Sequence, residues 1–344
     1  MMPELERRLL EKWSEFALPG ERPRRVEFLA ACPPGEGRSH VLFLAFRPGA
    51  GAPVAIAKVR RSPCEGDKLW EEAAVLQDLR ERLPATLRDT LPRVLEVRDF
   101  QGQRALVLEG PKGTFLAGQA AWRWPARRST RLREVLRIGL GWLCAFQQAT
   151  RGEPLMLEGE QLERRALALI GACRGWLGAA PTATLREAVA EALAGAPLFL
   201  CGRHGALRPE HLVRYGTRLT VVSWEQAERS ALPLFDPLQV VTSASAECAR
   251  HRAGAAPEVA AFRETWLEAT PVRGVAATAL AGYATAMGIS ARAVAWALPV
   301  FAADQALRAG SRPSAKHHWH DCLRLLAEDP GALAGLAEAL RSQG

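Results

Sequence analysis

The feature that most constrains this chain is a change of period at Gly110-Pro111-Lys112-Gly113. Ahead of it, short apolar runs at residues 25–30, 40–46 and 53–59 are punctuated by Pro33-Pro34-Gly35-Glu36-Gly37 and Pro48-Gly49-Ala50-Gly51, the pattern of an antiparallel meander. A helix follows over about 66–82, with Leu69, Ala73, Leu76 and Leu79 at helical spacing, and two more strands near 93–99 and 103–109 flank Gln101-Gly102. Behind the boundary, helical periodicity takes over near 129–150, 160–177 and 182–194, gives way to a short β interruption over 198–224, and resumes in five further helices up to about residue 327. Strands first and helices after predict an α+β fold with segregated elements. We divide the chain into an N-terminal helix (1–24), a small lobe of five antiparallel strands and one helix (25–110), a large, mostly helical lobe (111–330) and a C-terminal helix (331–344).

Composition narrows the function classes. The 344 residues are 48% hydrophobic, ample for a large core. Only five of the 45 basic residues are Lys, at 12, 58, 68, 112 and 316, an Arg bias of the kind a GC-rich bacterial genome produces. The net charge of +8 is scattered along the chain and interleaved with Glu, with no aromatic-basic stripe, so a nucleic-acid partner is not expected. Seven Cys without a Cys-x-x-Cys pair do not make a disulfide framework and fit a reduced, cytoplasmic setting. No apolar run reaches the length of a membrane span, and the charged N-terminal helix lacks the apolar centre of a signal peptide, so neither a membrane nor secretion is expected.

Several residues stand out against this background. Lys58 ends the apolar strand Val54-Ala55-Ile56-Ala57-Lys58, and Glu72, with Glu71 as competitor, follows on the next helix. Gly35 and Gly37 lie in a Gly-x-Gly turn between the first two strands, and Leu108-Glu109 ends the last strand before the boundary. The β interruption carries His204-Gly205-Ala206-Leu207-Arg208-Pro209-Glu210-His211, then Leu219-Thr220-Val221-Val222 ending in Ser223-Trp224-Glu225.

That last series resembles the signature of the aminoglycoside phosphotransferase and choline kinase group, in which His-Gly-Asp, a Pro and an Asn precede a strand ending Asp-Trp-Glu. His204, Gly205, Pro209, Trp224 and Glu225 match the frame, whereas Ala206, His211 and Ser223 stand at the three working positions. The resemblance implies a bilobal protein kinase-like fold that takes ATP. Lys58 would contact its α and β phosphates, Glu72 would hold that ammonium, Gly35 and Gly37 would cover the phosphates, and Leu108-Glu109 would lie at the adenine edge.

The same resemblance puts phosphoryl transfer in question. Ala206 can neither orient nor deprotonate a hydroxyl, a loss of about 10²- to 10⁴-fold in rate. Ser223 offers a neutral oxygen and His211 a nitrogen, poor ligands for Mg²⁺, which prefers hard oxygen donors. One expectation is therefore a pseudokinase that binds nucleotide and acts as a regulatory or binding partner, of a protein or a small molecule, in small-molecule biosynthesis. The alternative is an active ATP-dependent small-molecule phosphotransferase in which Glu210 or Glu225 replaces the lost carboxylates. If both are bystanders, Glu225 is structural and Glu210 solvated. Arg203, Arg208, His211 and Arg214 offer a further route, positive charge in place of a metal. Asp236, before Pro237 at a helix start, is expected to cap that helix. His317, His318 and His320 with Cys322 are metal-ligand types, but the spacing does not make a closed zinc site.

Overall fold

The structure is a computed structural model and describes residues 2–31, 40–60, 68–100, 102–117, 128–250, 257–310 and 318–343. Gly35 and Gly37 lie outside the described residues, as does His317. Along the first part of the chain run α1 (Met2–Glu11), β1 (Glu27–Ala31), β2 (His40–Phe46), β3 (Ala55–Arg60), α2 (Lys68–Arg82), α3 (Ala85–Arg88), β4 (Val94–Phe100), β5 (Gln103–Glu109) and β6 (Thr114–Phe115). Then come α4 (Arg128–Ala149), β7 (Pro154–Met156), α5 (Gly159–Leu162), α6 (Ala168–Ala172), α7 (Arg174–Leu177), α8 (Ala179–Leu193), β8 (Pro197–Phe199), β9 (Cys201–Arg203), β10 (Leu212–Tyr215), β11 (Arg218–Val221) and β12 (Glu228–Ala231). The chain closes with α9 (Phe235–Ala249), α10 (Pro257–Phe262), α11 (Pro271–Met287), α12 (Ala291–Gly310), α13 (His318–Glu328) and α14 (Gly331–Arg341). The helix expected over 160–177 is continuous from Gly159 to Ala172, through a π turn at Glu163–Leu167, and is interrupted at Cys173 before α7.

Two compact units result: residues 1–116 with 210–227, and residues 117–209 with 228–344. In the first, an antiparallel sheet of order β1-β2-β3-β5-β4 has Ala55, Ala57 and Val59 of β3 and Ala105 and Val107 of β5 on one face. Leu5, Leu9, Trp13 and Phe16 of the N-terminal segment pack onto that face. Arg8 reinforces the contact through a two-pronged bond to Glu96 of β4. The N-terminal helix is thus part of this unit's core rather than a separate piece. The opposite parity of β3 places Lys58 on the other face, and α2 packs against β4 and β5.

Residues 210–227 also depart from the boundaries drawn above. Backbone pairing assigns them: β10 joins β6 through Val213↔Phe115 and Arg214↔Thr114, and Val221 donates to the Thr90 carbonyl at 2.8 Å. Gly113, at φ 118°, permits the first of these, because a Cβ there would lie 2.2 Å from the Arg214 carbonyl oxygen.

The second unit is helical. Its α4 packs on α9 and α11, while α12 packs on α8, α13 and α14, so the C-terminal helix belongs to the same core. Among the described residues no single helix is long and apolar enough to cross a membrane.

Candidate active site

In the first unit, α2 turns Leu69, Glu72, Ala73, Leu76 and Leu79 inward, so Glu72 sits on a buried stripe and Glu71 is exposed. Facing it, Lys58 is 5% exposed and donates to Glu72 Oε1 at 2.6 Å and Oε2 at 2.8 Å. A third donation reaches Glu225 Oε2 at 3.0 Å. An ammonium has three protons, and all three have carboxylate partners. Burial alone would lower the Lys58 pKa, but the charges of Glu72 and Glu225 outweigh it and raise the group well above its ordinary value.

The segment Val221–Glu225 is tied to the same point. The Trp224 side chain is buried, its indole donates to the Val221 carbonyl at 2.8 Å, and its backbone N–H donates to Glu72 Oε1 at 3.2 Å. This anchoring delivers the neighbouring Glu225 to Lys58. Glu225 is therefore no solvated bystander. Burial would raise its carboxyl, yet Lys58, assisted by the charge of His211, holds it well below the usual carboxylate range. Glu72 moves the other way, pushed up by burial and by Glu225 against the pull of Lys58. Two carboxylates on one ammonium leave the cluster net negative, and the deeper of the two holds a proton more readily.

Ser223 adopts φ 70°, one of two positive values at non-glycine residues among those described. Leu108 is buried between β3 and β4, and Glu109 is paired through its carboxylate with Arg93 at 2.7 Å. The N–H groups of Glu109 and Gly110 donate to the Arg93 and Val54 carbonyls, so neither is open to an adenine edge. Glu210 is half-buried in the turn Pro209–His211.

In the second unit, Ala206 is 8% exposed and offers only a methyl group. The loop ahead of it is held by Asp236, whose two oxygens accept from His204 N at 2.6 Å and Gly205 N at 2.9 Å. Asp236 was expected to cap its own helix. It clamps the His-Gly turn instead, because the two acceptor oxygens of a buried carboxylate are well satisfied by two adjacent backbone donors. Arg203 bonds Glu228 at 3.1 Å and Asp304 at 2.8 Å, and Arg308 bonds the same two acids at 2.9 and 3.0 Å. Arg203 is thus committed to a closed, charge-balanced ring and is not available as a cation in place of a metal. Arg214 of the first unit donates through Nε to the Gly216 carbonyl.

Among the described residues, burial pushes the Cys173 thiol up to about 11 and Cys201 and Cys322 higher still, which makes them poor nucleophiles. Among the described residues no group of three His, Cys, Asp or Glu could hold a metal ion. Trp319 of α13 packs edge-on to Phe262 and Phe301, and His320 stacks on Trp176 at 4.2 Å, so this histidine segment builds packing.

No protein-family model matches the sequence, and no curated protein is significantly similar to it. Solved structures do match. A thermostable mutant of aminoglycoside phosphotransferase APH(4)-Ia, in ternary complex with ADP and hygromycin B, superposes with a TM-score of 0.55 at 15% identity, over 97% of this chain and 98% of that one. A second mutant of the same enzyme, in complex with AMP-PNP and hygromycin B, gives 0.56 at 14% identity over the same shares. The chain has the protein kinase-like fold of the aminoglycoside phosphotransferases. A glucosamine kinase also matches, with a TM-score of 0.45 at 15% identity over 91% of this chain and 95% of that one. Within that fold, sequence reasoning found Lys58 and Glu72 and weighed Glu225, but it missed Asp236 as the clamp on His204 and Gly205. The signal for Asp236 was long-range, thirty residues away in sequence, with nothing local to mark it.

Proposed function

We propose that this protein binds a nucleoside triphosphate through Lys58 and does not transfer its phosphoryl group by the usual route, serving as a pseudokinase that regulates or partners another component of small-molecule biosynthesis. The observation that carries this reading is the asymmetry between a complete buried Lys58–Glu72–Glu225 cluster and a methyl group at Ala206. Lys58 is held charged and fixed in position by Glu72. Glu72 is nearly solvent-free and makes three of the bonds. Glu225 makes one and is a quarter exposed, so it is the partner that phosphate would displace. Mg²⁺ does not fit the residues present: Ser223 is a neutral donor, His211 a nitrogen donor, and the nearby carboxylates of Glu72 and Glu225 are engaged by Lys58.

Calorimetric titration with ATP, with and without Mg²⁺, and assay of the same samples for ADP test this directly. Binding that persists without metal, yields no ADP and disappears in Lys58→Ala is the expected result. ADP formation that requires Mg²⁺ would overturn it. A second reading, an active small-molecule phosphotransferase, is favoured by one feature, the carboxylate of Glu225 held ionised at the end of β11's connection. It requires turnover that vanishes in Glu225→Gln.

A further inference from the structure

We propose that the second unit carries a separate binding site for a small amphiphile, an apolar body with one anionic group, in the groove between α4 and α11. The groove encloses about 850 Å³, within the size range of small-molecule pockets, and is floored by Leu140 and Val275. Three of its lining positions are glycines inside helices: Gly141 on α4, Gly274 and Gly282 on α11. A Cβ at any of them would meet nothing within 4 Å. Glycine weakens a helix interior, and here no close approach by the protein's own atoms requires it. The room these glycines leave is the groove itself.

Charge specifies the occupant. Arg133 and Arg137, one turn apart on α4, line the groove, and among the described residues neither has an ion-pair partner, whereas Arg131 beside them bonds Glu134 at 2.7 Å. Among the described residues no Asp or Glu lines the groove. A second copy of the same face would set guanidinium against guanidinium, so an anion is the complementary guest. The two helices run in parallel here: Cys144 contacts Met287 at 3.4 Å and Gln148 donates to the Ala286 carbonyl, joining their C-terminal halves. The cationic end therefore lies toward the N-terminal halves and the apolar end near Cys144, separated by roughly 10–16 Å of helix. An anionic head followed by an apolar tail fits that gradient. None of these residues belongs to the Lys58 cluster.

Fluorescence titration of the full chain with two probes tests the site: anilinonaphthalene sulfonate, which is anionic, and phenylnaphthylamine, which is neutral. The Arg133→Ala, Arg137→Ala double variant is expected to weaken the anionic probe about fivefold, the size of two exposed ion pairs, and to leave the neutral one unchanged. Gly282→Leu, which fills the groove and favours the helix, is expected to abolish binding of both while the melting temperature holds or rises. Binding of both probes that survives Gly282→Leu, or an anionic-probe affinity indifferent to the two arginines, would overturn the proposal. ATP titration of Gly282→Leu serves as the control and is expected to match that of the parent chain.

Discussion

The Lys58 cluster of the first unit and the His204–Gly205 turn of the second are both built around a buried carboxylate, but the carboxylates are put to different use. Around Lys58, two acids compete for one cation and one of them is a quarter exposed, so the arrangement can exchange a partner. Around His204, Asp236 accepts from two adjacent backbone N–H groups, a pairing that belongs to the turn itself. The first region leaves one acid within reach of solvent, whereas the second turns its charge into architecture.

The sharpest way to break this contrast is to remove one partner from each. Lys58→Ala leaves Glu72 buried without its cation, which should cost about 3–5 kcal/mol and abolish nucleotide binding. Asp236→Ala strands two buried N–H groups and should cost about 3 kcal/mol, a fall of several degrees in the melting temperature of a unit this size, with nucleotide affinity unchanged. Denaturant unfolding and ATP titration of both variants separate the two kinds of loss. Nucleotide affinity that falls equally in both would show that the regions do not divide the labour in this way.

Glu225→Gln sharpens the comparison with a smaller effect of opposite sign. Removing the exchangeable acid should raise ATP affinity about tenfold, since the phosphate no longer displaces a carboxylate about 3 Å from Lys58. The pH dependence follows from the same pair. The carboxyl of Glu225 is depressed, so its ion pair stabilises fully above the unfolded carboxylate value and is lost as pH falls below it. Lys58 is raised, so its contribution is complete below the unfolded lysine value and is lost as pH climbs past it. The stability difference between the parent chain and Glu225→Gln should therefore be flat between the range in which the raised carboxyl of Glu72 titrates and about pH 10, and shrink below the unfolded carboxylate value. A difference that keeps varying above the range of Glu72 would mean that the pair is not ionised as described.

Much of this was legible in the letters, and the reason differs by region. Lys58 and Glu72 could be read because Lys58 is one of only five Lys in the chain and ends an apolar strand, and because helical spacing and the family resemblance favoured Glu72 over Glu71 as its partner. The five-stranded sheet and the helical second unit followed from turn punctuation and apolar period. Three features did not follow. The assignment of residues 210–227 to the first unit depends on pairing with β6, two residues long and without a strand signature. The clamp by Asp236 depends on a contact across thirty-one residues to Gly205. The π turn within the expected 160–177 helix, and its interruption at Cys173, are not encoded by periodicity. Local rules reached what is local, and the long-range polar contacts lay beyond them.

Ser223 gives the smallest and most specific test. Its φ of 70° lies in the region where an L-residue with a Cβ is strained by roughly 1–2 kcal/mol, and where Asp and Asn are accommodated better than most. The backbone is therefore shaped for a residue that this chain does not have. Ser223→Gly should relieve that strain and, after the entropy of an added glycine is subtracted, stabilise the protein by about 0.5–1 kcal/mol. Ser223→Asp should be tolerated at nearly no cost, because it takes the existing conformation and adds a carboxylate beside Glu225. Its readout is the metal dependence of ATP binding: an affinity that responds to Mg²⁺ only in the Asp variant would show that the second ligand position survives in the backbone after its side chain was replaced. If neither variant changes stability and Asp brings no metal response, the conformation at 223 is set by Trp224 and its bond to Glu72 alone.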